Sequence, residues 1–232
     1  MTAKSTETGT SGSSRTSETT GIPGTAETIA TDAGDARITW HKARRAGLVL
    51  AVSHGAGGGI EARDLRALAA VLPAHGVTVA LVEQPWRVAG RKVAPAPKTL
   101  DTGWRGVWPA LTEPGLPVVS GGRSAGARVA CRTAAELGAH AVLALSFPLH
   151  PPGRPEKSRA AELLAAGVPT LVVQGGNDPF GKPAEFPEGP FRLVEVPYGD
   201  HGLSVSKRAG IGQERALEIV TDAVVEWVAS LG

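Results

Sequence analysis

Short, unbroken apolar runs separated by helical periods constrain this chain more than any other feature. Gly47 to Val52, Val77 to Val82, Leu116 to Ser120, Ala141 to Leu145 and Thr170 to Gln174 carry almost no charge. Runs this short and this apolar are strands buried on both faces, as in a parallel sheet. Between them lie segments with apolar residues three or four apart. Glu61 to Ala74 presents Leu65, Leu68, Val71 and Leu72 on one face, and Leu100 to Leu111 and Ala125 to Leu137 also read as helices. Ala160 to Ala166 reads as a short helix, Phe191 to Val196 as a further strand, and Gly212 to Leu231 as a closing amphipathic helix. Arg37 to His41 alternates and is expected to be a short edge strand. Strands alternating with helices wind into an α/β fold: a doubly wound, mostly parallel sheet with helices on both faces. Ligands bind such sheets at the carboxyl ends of the strands.

The remaining segments set the bounds. Residues 1–28 are dominated by Ser, Thr, Gly and Glu without apolar period, and are expected to form a disordered tail; one domain is expected over 36–232. Lys and Arg number 24 against 22 Asp and Glu, a formal net charge of +2. That balance argues against nucleic acid or an anionic membrane surface as partner. No apolar run nears the roughly 20 residues of a membrane span. The single cysteine, Cys131, excludes an internal disulfide and suits a reducing compartment, so a cytoplasmic protein is expected, with Cys131 as a buried hydrophobe. Abundant Ala, Gly and Arg suggest a bacterial source.

Chemistry concentrates at the strand ends. Gly122-Arg123-Ser124-Ala125-Gly126 follows one strand and opens a helix, the pattern of a sharp turn that lifts a nucleophilic serine clear of a sheet. A Cβ two residues before or after the serine would strike neighbouring backbone. Ser124 needs a base, and the base needs a carboxylate to orient it. His201, in the loop before the last helix, is the expected base. Asp178 follows an apolar strand and lies between serine and histidine in chain order; it is preferred over Asp200, the neighbour of the histidine. The oxyanion requires two N–H donors. One is expected from Ala125 and the other from Ala56, with Gly55 as alternative, in the loop His54 to Gly59. His54, Arg123 and His150 are expected to touch substrate, although Arg123 could instead hold the turn by pairing with a loop carboxylate. Arg87, Arg91, Lys92 and Lys98 with Trp86, Trp104 and Trp108 form either a solvated loop over core tryptophans or a basic, aromatic rim.

Several motifs carry a resemblance. His54-Gly55-Ala56-Gly57-Gly58, Gly121 to Arg128, Ser146-Phe147-Pro148-Leu149-His150-Pro151-Pro152-Gly153 and Val173 to Gly181 are similar to a small α/β-hydrolase family. That family has dienelactone-hydrolase-like relatives and is related to the hydrolase-like domain of the nonspecific-lethal complex subunit and of testis-expressed proteins. The resemblance spans about residue 36 to the end. It implies an α/β-hydrolase fold with a minimal cap and the triad Ser124, Asp178 and His201. Where the family places methionine after the nucleophile, this chain has Ala125. The expected activity is hydrolysis of a small acyl substrate, by a monomer or homodimer, without metal or organic cofactor. The competing expectation is an inactive hydrolase fold that serves as an interaction module.

Overall fold

The computed structural model describes residues 24–232, and the expected tail over 1–23 lies outside the described residues. Eight strands form one sheet: β1 (Thr25–Thr31), β2 (Gly34–His41), β3 (Leu48–Ser53), β4 (Val77–Glu83), β5 (Val118–Arg123), β6 (Ala141–Leu145), β7 (Thr170–Gly175) and β8 (Phe191–Val196). Their spatial order is β1-β2-β4-β3-β5-β6-β7-β8, parallel from β4 through β8 and antiparallel over the first two strands. Every residue of β3, β6 and β7 is buried, as their continuous apolar runs require.

Among the described residues six α-helices cover the sheet: α1 (Arg63–Val71), α2 (Pro85–Val88), α3 (Pro97–Thr112), α4 (Ala125–Leu137), α5 (Ala160–Leu164) and α6 (Gln213–Ala229). One core layer joins α3, α4 and α5 to one face through Trp104, Val107, Leu111, Val129 and Leu163. The other joins α1 and α6 to the opposite face through Leu65, Leu68, Val220, Val224 and Trp227. Gly138 ends α4 in the left-handed conformation, with φ 63°, that glycine adopts without penalty. Among the described residues, no helix is long and apolar enough to cross a membrane.

The amino-terminal margin corrects two expectations. Residues 25–28, assigned to the tail, begin β1; β2, expected at the edge, lies between β1 and β4. Thr-rich composition reads as a polar tail, yet threonine is β-branched and suits a strand. The hairpin closes at the pair Thr31 and Gly34, with Gly34 at φ 107°. It is pinned by a hydrogen bond from Trp40 Nε1 to Glu27 and by close packing on α3. A Cβ on Gly106 of α3 would lie 2.6 Å from Thr31 Cγ2, so only glycine allows that approach. The segment carrying Arg87, expected as loop, holds the short helix α2. Trp86, Trp104 and Trp108 are all buried in α2 and α3, while Arg91 and Lys92 in the loop between these helices and Lys98 at the start of α3 are exposed, so solvated cations lie over core tryptophans and there is no aromatic rim among them.

Candidate active site

Ser124 occupies the turn between β5 and α4 with φ 54° and ψ −112°. A non-glycine residue there is strained, and such strain persists only where its surroundings enforce it. Here they do. A Cβ on Gly122 would stand 2.6 Å from the Gly126 carbonyl oxygen, and one on Gly126 would stand 2.7 Å from that of Ser53. The turn is therefore packed backbone against backbone on both sides. Ser124 is the N-cap of α4, a position where serine ordinarily satisfies a free helix N–H. It makes no such bond. Its hydroxyl instead donates to His201 Nε2 at 2.8 Å.

His201 Nδ1 lies 2.8 Å from Asp178 Oδ2. A carboxylate only accepts, so Nδ1 carries the hydrogen, and in the neutral ring Nε2 is left as the acceptor facing Ser124. Asp178 is fully buried. Its Oδ2 also accepts from Gln174 Nε2 at 2.9 Å, and its Oδ1 from the Phe180 N–H at 2.8 Å. Asp200, the competing acid, is occupied elsewhere: its Oδ1 accepts the N–H groups of Gly202 and Ser204 at 2.7 and 2.9 Å and shapes the histidine turn. The acid and histidine loops touch directly, because a Cβ on Gly175 would lie 2.6 Å from the Asp200 carbonyl. Phe180 stacks on the His201 ring, with centroids 4.2 Å apart and planes inclined by 30°.

The loop after β3 completes the site. A Cβ on Gly55 would come 3.1 Å from Ser124 Cβ, so this loop abuts the serine. Among the described residues, no protein acceptor takes the N–H of Ala56 or Ala125. Ala125 opens α4, where free N–H groups and the helix dipole favour negative charge. Both alanines line one narrow slot beside the serine.

The three expected substrate contacts are otherwise engaged. His54 is 3% exposed; its Nε2 accepts the Gln84 N–H at 3.1 Å, so Nδ1 carries the hydrogen given to the Gly55 carbonyl at 2.9 Å. Burial holds its pKa below the ordinary histidine value, partly offset by the Gly55 bond. It ties the Gly-rich loop to the end of β4 and has no nitrogen left for a ligand. Arg123 takes up the pairing: Nε lies 3.0 Å from Asp64 Oδ2, and an Nη donates to the His201 carbonyl at 2.7 Å. His150 is held by the Pro151 carbonyl and Glu185, while its N–H donates to the Phe180 carbonyl at 3.0 Å. The stretch around it braces the acid loop: Gln174 reaches the Phe147 carbonyl, and Leu149 packs against Gly181.

Asp64, Gln174 and Phe180 escaped the sequence reading. Gln174 left a trace, as the one amide in an otherwise apolar strand. Arg123 left another: a cation among small residues at a tight turn requires a buried partner. Nothing in the sequence singles out Asp64 among the charges of α1 as that partner.

The sequence profile of an alpha/beta hydrolase domain matches residues 44–229. The chain belongs to the alpha/beta hydrolase family. Solved structures share this hydrolase fold. A serine hydrolase without a lid from Xanthomonas campestris is 19% identical, covers 90% of this chain and 95% of its own, and superposes with a TM-score of 0.69. A dienelactone hydrolase from Anabaena variabilis is 22% identical over 89% of this chain and 97% of its own, also with a TM-score of 0.69. A malate-bound thermophilic esterase from Thermogutta terrifontis is 17% identical over 89% and 99%, with a TM-score of 0.63. No curated protein sequence matches this chain closely enough to count as a relative.

Proposed function

We propose that this domain is a serine hydrolase that cleaves small esters or related acyl compounds through an acyl-enzyme. The observation that carries the reading is the chain of two 2.8 Å hydrogen bonds from Ser124 through His201 to the buried Asp178. Ser124 Oγ attacks the carbonyl carbon while its proton passes to His201 Nε2. Asp178 fixes the tautomer and stabilises the imidazolium that forms. The N–H groups of Ala56 and Ala125 receive the developing oxyanion. His201 then returns the proton to the leaving group, and water, deprotonated by the same nitrogen, releases the acid. The esterase and the dienelactone hydrolase among the structural neighbours support an ester as the substrate class.

A fluorophosphonate probe tests this directly. The folded protein is expected to be labelled once, at Ser124, and Ser124→Ala to be blank. Labelling that survives in Ser124→Ala refutes the nucleophile. A folded wild-type chain that resists the probe refutes the hydrolase and favours the competing expectation, an inactive hydrolase fold that serves as an interaction module.

A further inference from the structure

The turn that carries His201 is well bonded, yet it leaves the peptide of His201 itself unheld. Asp200 Oδ1 accepts the N–H groups of Gly202 and Ser204, the Asp200 carbonyl accepts that of Leu203 at 2.9 Å, and the Ser204 carbonyl accepts that of Asp200 at 3.0 Å. Among the described residues, the backbone of His201 has one hydrogen bond, and it comes from outside the turn: Arg123 Nη2 donates to its carbonyl at 2.7 Å. The turn is also strained. Tyr198 stands at φ 61° and Leu203 at φ 52°, left-handed conformations that persist in bulky residues only where contacts enforce them. Gln213 clamps the Leu203 end, its Nε2 donating to the Leu203 carbonyl at 3.0 Å. Arg123 is the clamp beside the imidazole.

We infer that Arg123 is the positioning residue for the base, with Asp64 as its anchor, and that this pair sets the distance over which Ser124 gives up its proton. This rests on the serine-hydrolase reading above. Arg123 directly precedes Ser124, so its backbone carries the nucleophile while its side chain holds the peptide of the base. The guanidinium is itself fixed: Nε lies 3.0 Å from Asp64 Oδ2, and the two side chains are 16% and 1% exposed. Its Nη1 packs on the loop after β3, where a Cβ on Gly55 would come 3.5 Å from Nη1 and 3.1 Å from Ser124 Cβ. One planar group with its donors in a rigid fork thus spans α1, the histidine turn and the loop of Ala56. Asp178 and Phe180 hold the His201 ring from the acid loop, but neither holds the peptide that bears it. Without Arg123 that peptide is free to drift while Asp178 keeps its grip on Nδ1, so the contact that opens is the one between Nε2 and Ser124. A misplacement of about 1 Å costs a reaction roughly a hundredfold in rate.

The test measures kcat and KM for a nitrophenyl ester in the wild type, Arg123→Met and Arg123→Lys, below the melting temperature of each. Counting kcat per serine that a fluorophosphonate labels at completion removes any misfolded fraction from the comparison. His201 serves acylation and deacylation alike, and slowing both by the same factor leaves their ratio, and with it KM, unchanged. In Arg123→Met, kcat is expected to fall by about a hundredfold while KM stays near the wild-type value. Arg123→Lys keeps a cation beside Asp64 but replaces the fork by a point charge. It is expected to recover part of the melting temperature lost in Arg123→Met and none of the kcat, and it decides the question should the methionine variant not fold. A wild-type kcat in either folded variant, or a kcat that recovers together with the melting temperature, overturns the inference and leaves Arg123 a structural pair alone. Failure of the fluorophosphonate probe on the wild type is a different outcome: it refutes the hydrolase, and the positioning role falls with it.

Discussion

Arg123→Met isolates the most consequential contact that sequence reasoning left open. In the wild type its guanidinium joins three segments: β5, which it ends; α1, through Asp64; and the histidine loop, through the His201 carbonyl. The Asp64 side chain is 1% exposed and that of Arg123 16%. Removing one partner of a buried pair strands the other charge, which costs about 3–5 kcal/mol. At roughly 2–4 °C per kcal/mol for a domain of this size, the melting temperature falls by about 6–20 °C at neutral pH. The loss also depends on pH in a direction the structure dictates. Burial raises the Asp64 pKa above the ordinary carboxylate value, and the Arg123 charge opposes that rise. A carboxyl whose pKa is raised on folding holds its proton more tightly in the folded state. Its contribution therefore favours folding in acid and is lost as pH rises through the folded pKa. Without Arg123 the folded pKa climbs further and the window of loss extends upward. The deficit of Arg123→Met relative to wild type is thus smallest in acid and grows toward neutral pH. Thermal unfolding followed by circular dichroism across that range measures it. A deficit that does not vary with pH, or an Arg123→Met/Asp64→Asn double variant no more stable than Arg123→Met alone, refutes the reasoning.

Asp178→Asn is expected to lower kcat by about four orders of magnitude, because an amide in place of the carboxylate favours the wrong tautomer of His201. Asp200→Asn, which alters only turn hydrogen bonds, is expected to cost far less; steady-state hydrolysis of a nitrophenyl ester separates the two, and the reverse order refutes the acid assignment. Gly126→Ala drives a methyl group against the β3 backbone, and overpacking of about 1–3 kcal/mol or more is expected in denaturant unfolding; wild-type stability would show the turn to be compliant. Burial raises the Cys131 thiol to about 12, so it is expected to resist Ellman's reagent in the folded protein and to react fully in denaturant. Rapid reaction under native conditions would place it outside the core.

Elements with one dominant signal were legible in the sequence. Ala141–Leu145, Phe191–Val196 and Ala125–Leu137 fall where their apolar runs or helical periods put them. So does the meeting of Ser124, Asp178 and His201, because topology brings the ends of neighbouring parallel strands together and chain order separates Asp178 from Asp200. What escaped depends on contacts between segments distant in sequence. Nothing local distinguishes Thr25 to Thr31 from a polar tail, because its strand character comes from pairing with β2 and packing on α3. His54 and His150 sit in loops beside the site and so read as ligand contacts. Only the partners of their ring nitrogens, backbone groups for His54 and the Pro151 carbonyl with Glu185 for His150, reveal them as struts. The same holds for Asp64, whose role is set by an arginine nearly sixty residues later.

The hairpin strand at the amino-terminal margin bears on how the protein must be handled. A chain trimmed to the boundary that its motifs suggest, near residue 36, would discard Thr25–Thr31 entirely. That would bare the hydrogen-bonding rim of what remains of β2, and Trp40 Nε1 would lose its acceptor Glu27. An uncovered rim of this kind invites pairing with a second molecule. Such a fragment would retain every group assigned to the chemistry and still precipitate, so expression should begin upstream of Gly24.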